Sequence, residues 1–261
     1  MTQDVLLFQM QGAVAHLTLN RPKALNALNL ELLTELGNRL DEIGNNAEIR
    51  VLVLTGSGSA FCAGADLKAV LASSEVAPGE ADFLDHASLV YAKLRHFPKP
   101  VIAALNGVTM GGGLELALCA DLIVAAESAR IADAHANFGV YPGAGGAAIL
   151  PRLIPRNMAM YLLLTGKSLS AAEMKACGLV CEVHADDVFQ DAVSTLAQHI
   201  AGHSPIALRR MKEVACSTAD KSADDALLHE QVLLRQHLRS ADLQEGVQAF
   251  AEKRKPQFQG R

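Results

Sequence analysis

Residues 101–126 read VIAALNGVTMGGGLELALCADLIVAA, and this stretch decides the fold. It begins and ends with an apolar run, at 101–106 and at 122–126, and three consecutive glycines lie between the two runs. Continuous apolar runs bounded by turn residues are typical of strands that are buried on both faces of a sheet. The stretch therefore predicts a strand, a glycine-rich loop, a short helix that continues through Cys119, and a second strand.

The same order of elements occurs nearer the N-terminus. Residues 5–20 form two short apolar patterns around a turn at Gly12, and residues 50–55 form a third that ends in a glycine-rich loop. Between them, apolar residues recur at spacings of three and four from Leu30 to Ile43, with Asn29 placed to cap the helix. Alternating strands and helices predict an α/β fold with mostly parallel strands and a site at their carboxyl ends.

The C-terminal part of the chain has a different pattern. Ser170 and Glu173 form a capping box for a helix that Gly178 ends, and residues 179–183 predict a strand after it. From Ser204 onward the pattern is helical, so we place a boundary near 200: residues 1–200 as an α/β core and 201–261 as a helical C-terminal region. Residues 69–86 are small, acidic and weakly patterned, and they predict a mobile lid or a loosely packed helix pair.

Composition and charge exclude several classes of protein. The chain has 261 residues, half of them hydrophobic and 20% charged, which is typical of a folded protein. Its net charge of −5 disfavours nucleic acid as a partner. No apolar run approaches the roughly 18 residues of a membrane span, and the N-terminus lacks a signal-peptide pattern, so we expect a cytoplasmic protein without a membrane partner.

The cysteines and histidines give no pattern for a metal. Five scattered cysteines are an odd number, which favours reduced thiols over a disulfide framework. Cys177 and Cys181 have no second pair at zinc-ligand spacing, and His199 and His203 stand where a helix should end. We therefore expect no metal site.

Two glycine-rich loops are the candidate site. They read FCAGAD at 61–66 and MGGGLE at 110–115, and each follows a predicted buried strand. They match neither a phosphate-binding loop nor a serine-hydrolase elbow. Small residues let a ligand approach the backbone closely, and one N–H from each loop would form an oxyanion hole for a carbonyl or thioester oxygen. The alternative is that these glycines only permit tight turns and close helix packing.

Five motifs in order carry a resemblance to a known family. They are LNRPKALNAL at 19–28, FCAGAD at 61–66, NGVTMGGGLEL at 106–116, PGAGG at 142–146 and GVQAFAEKRKP at 246–256. With these motifs the chain resembles the crotonase superfamily, the enoyl-CoA hydratases and isomerases, almost from end to end. The resemblance implies an α/β spiral of ββα units with a helical C-terminal trimerisation region, assembled as a homotrimer or a dimer of trimers.

The resemblance also implies the substrate and the residues that bind it. Family members act on coenzyme A thioesters, so no separate cofactor is expected, and the backbone N–H groups of Ala65 and Gly112 would hold the thioester oxygen. The substrate-binding residues implied in the same chain are Lys23, Ala24, Ala63, Ala65, Asp66 and Gly112. Phe250 and Lys253 would reach the coenzyme A of a neighbouring subunit, while ordinary surface charge is the alternative for both lysines.

The acid–base residues depart from the family pattern. Hydratases of the family present two glutamates to the substrate; the first corresponds to Glu115, but the second position holds His135. Glu115 would be the base. His135 would either supply the acid or orient the water, or it is a structural hydrogen-bonding residue of the pocket wall. If its segment is regular, the side chain of Asp133 should point elsewhere.

Hydration of an enoyl-CoA is the reaction that the resemblance favours most. Double-bond isomerisation is the alternative, although the isomerases carry their carboxylate at the position of His135, and other crotonase-type reactions also use histidine or aspartate here. A third possibility is a family member that binds acyl-CoA without turning it over. We expect residues 69–96, Phe138 and Tyr141 to shape the acyl pocket.

Overall fold

The strands among the described residues form two β-sheets. The computed structural model describes residues 4–72, 76–77 and 79–261. With strands numbered in chain order, the larger sheet has the spatial order β1 (Leu6–Gln11), β2 (Val14–Leu19), β3 (Val51–Gly56), β5 (Val101–Leu105), β7 (Leu122–Ala126) and β10 (Glu182–His184). The smaller sheet has the order β4 (Ala60–Cys62), β6 (Val108–Met110), β8 (Arg130–Ala132) and β9 (Leu169–Ser170).

The chain alternates between the two sheets. Each of the pairs β3 and β4, β5 and β6, and β7 and β8 gives its first strand to the larger sheet and its second to the smaller one. Corresponding strands of successive pairs lie side by side and parallel. This arrangement is a spiral, and it places the ends of β4, β6 and β8 beside one another.

Helices connect and cover the sheets. They are α1 (Leu30–Asn45), α2 (Leu67–Ala72), α3 (Phe83–Arg95), α4 (Gly112–Ala117), α5 (Leu150–Leu153), α6 (Arg156–Thr165), α7 (Ala171–Ala176), α8 (Phe189–Ala201), α9 (Pro205–Ser217), α10 (Ala223–His237) and α11 (Ala241–Ala251). Asn29 caps α1, as predicted, by accepting a hydrogen bond from the Leu32 N–H. In the described part of the chain, no helix has both the length and the apolar composition of a membrane span.

Both faces of the central strands of the larger sheet, β3, β5 and β7, are buried, which explains their continuous apolar sequences. Leu52 and Leu54 of β3 belong to a core that also contains residues of α1 and α3. Val51 and Val53 point to the other face, where Phe189 and neighbouring apolar residues of α8 cover the sheet. Successive side chains of β3 therefore point into two different hydrophobic cores, so neither face of this strand is polar along residues 51–54.

A buried asparagine fixes the loops between the first helix and the sheets. Asn26 is fully buried, and its Nδ2 donates to the carbonyls of Ser57 at 2.9 Å and Ala60 at 2.7 Å. Its Oδ1 accepts a hydrogen bond from the Arg21 N–H at 2.9 Å. Asn26 and Leu25 both have positive φ angles, of 56° and 49°, so the turn after residues 22–24 reverses sharply. One side chain therefore joins the 21–28 turn to the loop that enters β4.

Most predicted elements are confirmed, and two differ in their bounds. The strand predicted at 179–183 is displaced to β10, since Leu179 and Val180 are instead buried in the core before it. The helix after the glycine triplet ends at Ala117 rather than Cys119. Residues 69–86 contain the end of α2, which buries none of its residues, and the start of α3. The mobile lid or loosely packed helix pair expected there stays a prediction, and residues 73–75 and 78 lie outside the described residues.

Polar contacts connect the two sides of the boundary predicted near 200. The Arg50 guanidinium donates to the carbonyls of Ala201 at 3.2 Å and Phe258 at 2.6 Å. The Lys212 ammonium lies 2.7 Å from a carboxylate oxygen of Asp121. The division into a core and a C-terminal region stays a prediction.

Asn26→Ala should strongly destabilise the protein. The change removes the donor to the Ser57 carbonyl, one of two side-chain donors to the Ala60 carbonyl and the acceptor of the Arg21 N–H. It also places alanine at a positive φ, so we expect a loss of about 3 kcal/mol in the free energy of unfolding. Denaturant unfolding measures it. Asn45→Ala, which removes an exposed hydrogen bond on α1, is the matched control and should stay within about 0.5 kcal/mol; similar losses for both variants would contradict this role of Asn26.

Candidate functional site

The candidate site lies where three neighbouring strands of the smaller sheet end. β4, β6 and β8 run parallel, with Cys62 beside Thr109 and Met110 beside Ala132. Carboxyl ends of parallel strands lie at the same edge of a sheet. The residues that follow the three strands are therefore brought together: the 63–66 loop, the glycine triplet and the segment from Asp133 to His135.

Two backbone N–H groups converge at this edge. A Cβ at Gly112 would lie 3.3 Å from the Ala65 nitrogen, so the two amides are close neighbours. In the described part of the chain neither amide donates a hydrogen bond. Gly64, with φ of 111°, and Gly111, with φ of 52°, supply the backbone turns that expose them. The two amides predicted as oxyanion donors are thus adjacent and available.

Close backbone packing holds the second donor in place. A Cβ at Gly113 would overlap the carbonyl oxygen of Cys62, so only glycine allows α4 to start this close to β4. The Tyr91 hydroxyl donates to the Gly112 carbonyl at 2.7 Å. Burial, together with the nearby Glu115 carboxylate, raises the pKa of Tyr91 well above its ordinary value, so the phenol keeps its proton. The sequence does not single out Tyr91, because its role depends on a contact with the Gly112 carbonyl from a separate helix, α3.

Glu115 lies one turn into α4 with its carboxylate almost completely buried. One oxygen, Oε1, accepts hydrogen bonds from the backbone N–H groups of Ala144 at 2.7 Å and Gly146 at 3.0 Å. The other, Oε2, lies 3.8 Å from Nε2 of His135. The PGAGG motif at 142–146 therefore anchors one oxygen of the predicted base and leaves the second oxygen toward His135.

His135 stands between two carboxylates. Its Nδ1 lies 2.9 Å from Oδ1 of Asp133, its Nε2 faces Glu115, and its side chain is 12% exposed. Burial lowers the pKa of His135, but the hydrogen bond to Asp133 and the charges of Asp133 and Glu115 outweigh burial and raise it above its ordinary value. Protonated His135 therefore favours the folded state at low pH, and this contribution is lost as pH rises through the raised pKa.

The expectation that Asp133 points away from the site is wrong. Ala134 has a left-handed backbone, with φ of 61°, so the segment is not regular and Asp133 and His135 lie on the same side. Asp133 is 1% exposed, and its Oδ2 has no hydrogen-bond partner among the described residues. The carboxylate of Asp133, which a regular segment would direct elsewhere, is thus in contact with His135.

The turn predicted to bind coenzyme A lies against the 63–66 loop. The Ala63 N–H donates to the Leu25 carbonyl at 2.9 Å, one residue beyond Lys23 and Ala24. The Asp66 N–H donates to Leu28, and its carboxylate is 3.4 Å from the Arg21 guanidinium. Lys23, Ala24, Ala63 and Asp66 are therefore grouped beside Ala65.

Phe250 and Lys253 lie in a different part of the chain. Both are exposed, Phe250 at 87%, at the end of α11. Phe250 lines a groove of about 600 Å³ between α9 and α11, together with Met211 and Val247. Lys253 has a positive φ of 55°, so the chain turns sharply just after the helix.

A cavity of about 230 Å³ adjoins the candidate site. Its walls are the side of α3 that carries Ser88, Tyr91 and Arg95, and the loop at 143–149. Tyr91 and Ala144 contact the site itself, through Gly112 and Glu115. Residues of the 69–96 region therefore line a cavity here, whereas Phe138 and Tyr141 are 69% and 84% exposed. That these residues shape an acyl pocket stays a prediction.

The family assignment follows from comparison with known proteins. The model of the enoyl-CoA hydratase/isomerase family matches residues 9–261. The chain is 38% identical to a 2,3-dehydroadipyl-CoA hydratase of Escherichia coli, over 98% of this chain and 99% of that protein. It is also 38% identical to a 1,2-epoxyphenylacetyl-CoA isomerase of the same organism, over 99% of each chain. The chain belongs to the enoyl-CoA hydratase/isomerase family.

A solved structure gives the same result for the fold. The crystal structure of an enoyl-CoA hydratase from Bacillus anthracis superimposes with a TM-score of 0.92, at 36% identity, covering 99% of this chain and 100% of that one. The crotonase-type α/β fold predicted from the sequence is confirmed.

Gly113→Ala should prevent the glycine triplet from packing against β4. The new methyl group overlaps the Cys62 carbonyl oxygen, and because this atom is backbone, relief requires the sheet and α4 to separate. We expect a loss of about 2–3 kcal/mol in the free energy of unfolding. Thermal and denaturant melts measure it.

Gly44→Ala in α1 is the matched control. Its methyl group would make ordinary contact with Phe97 at 3.6 Å, and it replaces a glycine by a better helix former, so it should be neutral or slightly stabilising. Equal stability of the Gly113→Ala and Gly44→Ala variants would contradict the close approach of α4 to β4.

Proposed function

We propose that the protein adds water across the 2,3 double bond of an enoyl-CoA. The observation that carries this proposal is the arrangement of Glu115: one oxygen is fixed by two backbone amides, and the other faces His135 beside the converging amides of Ala65 and Gly112. A base, an acid and an anion-binding pair in one buried place are the groups that hydration of a conjugated thioester requires.

The two backbone amides would stabilise the charge that forms on the thioester. When oxygen adds to C3, the electrons of the double bond move through C2 to the thioester oxygen and produce an enolate. The N–H groups of Ala65 and Gly112 would donate to this oxygen. Because these amides are held by packed backbone, they need little reorganisation as the charge develops, and one such donor is typically worth about 3–4 kcal/mol in the transition state.

Glu115 and His135 would transfer the two protons. Oε2 of Glu115 accepts a proton from the water as its oxygen bonds to C3. Protonated His135 then delivers a proton from Nε2 to C2, and the enolate returns to a thioester. The raised pKa of His135 supports the acid role, because it increases the protonated fraction near neutral pH.

The remaining predicted residues would bind the rest of the substrate. The turn with Lys23 and Ala24 and the loop with Ala63 and Asp66 form a backbone-rich surface beside Ala65, suited to the coenzyme A moiety. The 230 Å³ cavity between α3 and the 143–149 loop is the proposed acyl pocket. Coenzyme A enters as part of the substrate, and we propose no separate cofactor.

Double-bond isomerisation is the second candidate. The 3.8 Å separation of Glu115 and His135 gives a pair that could pass a proton between two carbons of one acyl chain, and one relative is named as an isomerase. Crotonyl-CoA and a 3-enoyl-CoA separate the reactions, since loss of the conjugated absorbance of crotonyl-CoA reports hydration. If neither thioester reacts while coenzyme A still raises the melting temperature, the protein is a non-catalytic binder.

Glu115→Gln should abolish most of the hydration activity. The amide keeps the shape and the hydrogen bonds from Ala144 and Gly146 but cannot accept the proton of water, so kcat should fall by roughly 10²–10⁴ with coenzyme A binding unchanged. Crotonyl-CoA turnover and a thermal shift with coenzyme A measure the two quantities. Glu48→Gln, on the exposed surface, is the control and should retain full activity; a fully active Glu115→Gln variant would contradict the mechanism.

We also propose that the protein is a homotrimer or a dimer of trimers. Helix α10 buries none of its residues within one chain, and Leu227, Leu228 and Leu234 are more than half exposed. Such apolar helix faces are typical of subunit contacts. Assembly would also cover the groove that contains Phe250 and let this residue and Lys253 reach a neighbour's coenzyme A.

Analytical ultracentrifugation tests the assembly. We expect the mass of three or six chains at micromolar concentration, because the exposed apolar faces of α9, α10 and α11 need a partner. A stable monomer under these conditions would contradict both the trimer and the shared coenzyme A site.

A further inference from the structure

We propose that Asp133 is a positioning residue that holds a proton on Nδ1 of His135 and so reserves Nε2 for proton exchange with the substrate. The position of the proton is a property of the free protein. Only the last step, the exchange with an enoyl-CoA, rests on the proposed function.

The geometry of the segment makes Asp133 a specific partner of His135. Oδ1 of Asp133 lies 2.9 Å from Nδ1. The two residues are separated by Ala134, whose left-handed backbone brings both side chains to the same side of the segment. A left-handed alanine costs energy that a regular strand would avoid, so the contact between Asp133 and His135 is built into the backbone.

The chemistry of the two groups fixes the direction of the hydrogen bond. An ionised carboxylate only accepts, so Nδ1 must donate, whether the imidazole is neutral or protonated. In neutral His135, Nδ1 then carries the proton and Nε2 has the free lone pair. In protonated His135, Nε2 carries the additional proton. Nε2 is also the nitrogen that faces Oε2 of Glu115 at 3.8 Å, where a substrate carbon and the attacking water must meet.

Asp133 itself is not placed to react. Its carboxylate is 1% exposed, and Oδ2 lies so close to the Gly146 backbone that a Cβ on Gly146 would overlap it. Oδ2 has no hydrogen-bond partner among the described residues. A buried carboxylate with one partner gains most from a positive charge on that partner, so Asp133 both orients His135 and stabilises its protonated form.

The other titratable groups nearby have different partners. Glu115 is the second carboxylate that faces His135, from α4, and it adds to the same stabilisation. From α3, Tyr91 donates to the Gly112 carbonyl and Arg95 donates to the Ala144 carbonyl at 3.1 Å. Asp133 is therefore the group that distinguishes the two nitrogens of His135.

The first test needs no change in Asp133. The protein is labelled with ¹⁵N-histidine, and the His135 signals are assigned by their loss in His135→Gln. At a pH above the His135 pKa, the chemical shifts of the two ring nitrogens should show the proton on Nδ1. A neutral His135 with its proton on Nε2 would overturn the proposal, and this result is independent of any enzymatic activity.

The second test removes the charge of Asp133. Asp133→Asn should lower the pKa of His135 in the same NMR titration, shift the limb of the kcat pH profile that His135 controls to lower pH, and reduce kcat at neutral pH by at least about tenfold. Asp133→Asn combined with His135→Gln should be no slower than His135→Gln alone, because Asp133 acts through His135. An unchanged His135 pKa and pH profile in Asp133→Asn would overturn the proposal.

Asp242→Asn is the control for losing a buried carboxylate. Asp242 is 2% exposed and accepts hydrogen bonds from Ser204 and from the Gln259 and Gly260 N–H groups, far along the chain from His135. It should lower the melting temperature and leave the pKa of His135 unchanged. If the wild-type protein does not hydrate enoyl-CoAs, the proposed function fails, whereas the tautomer and the pKa of His135 still decide the role of Asp133.

Discussion

The parallel pairing of β4, β6 and β8 is the constraint on which the rest of the site depends. Each strand is short, and each delivers a different functional element at its carboxyl end: an amide from Ala65, the amide of Gly112 with Glu115 behind it, and His135 with Asp133. The larger sheet fixes this arrangement, because the strands just before them in the chain, β3, β5 and β7, are parallel neighbours with both faces buried. A change in strand register in either sheet would separate the loops that carry Ala65, Gly112 and His135.

The site combines rigid backbone with mutually dependent charges. The two amides owe their positions to contacts that only glycine permits and to the Tyr91 hydroxyl. The proposed acid–base groups are each held by hydrogen bonds on one side, Glu115 by the 142–146 loop and His135 by Asp133. These hydrogen bonds leave Oε2 of Glu115 and Nε2 of His135 facing each other at 3.8 Å. A histidine at position 135, where the family resemblance implies a glutamate, would give the proposed site an acid that is cationic when protonated.

Local sequence patterns predict most helices and strands. The central strands are apolar throughout because both of their faces are buried, and residues such as Asn29 and Ser170 mark helix N-termini. The strand at 122–126, the Asn29 cap and the Ser170 capping box all lie where the pattern indicates. The position of the site also follows from the sequence, since both glycine-rich loops end buried strands. The motifs and their family resemblance named the residues, and the structure brings Ala65, Gly112, Glu115 and His135 together.

What the sequence could not show depends on contacts between distant segments or on unusual backbone. Tyr91 contacts Gly112 from a separate helix, α3, and Asn26 has its role only through the carbonyls of Ser57 and Ala60. The contact between Asp133 and His135 requires a positive φ at an alanine, which residue type argues against. A regular strand through residues 133–135 would direct the Asp133 side chain away from His135, whereas the structure places the two side chains in contact.

The central claim is that the amides of Ala65 and Gly112 together bind the oxygen of a thioester enolate. A crystal structure with a 3-oxoacyl-CoA tests it most directly, because such a thioester forms a stable enolate and has no double bond to hydrate. The account predicts the thioester oxygen at about 2.7–3.1 Å from both nitrogens, with C3 near Oε2 of Glu115 and Nε2 of His135. A bound thioester whose oxygen contacts neither amide would contradict the account.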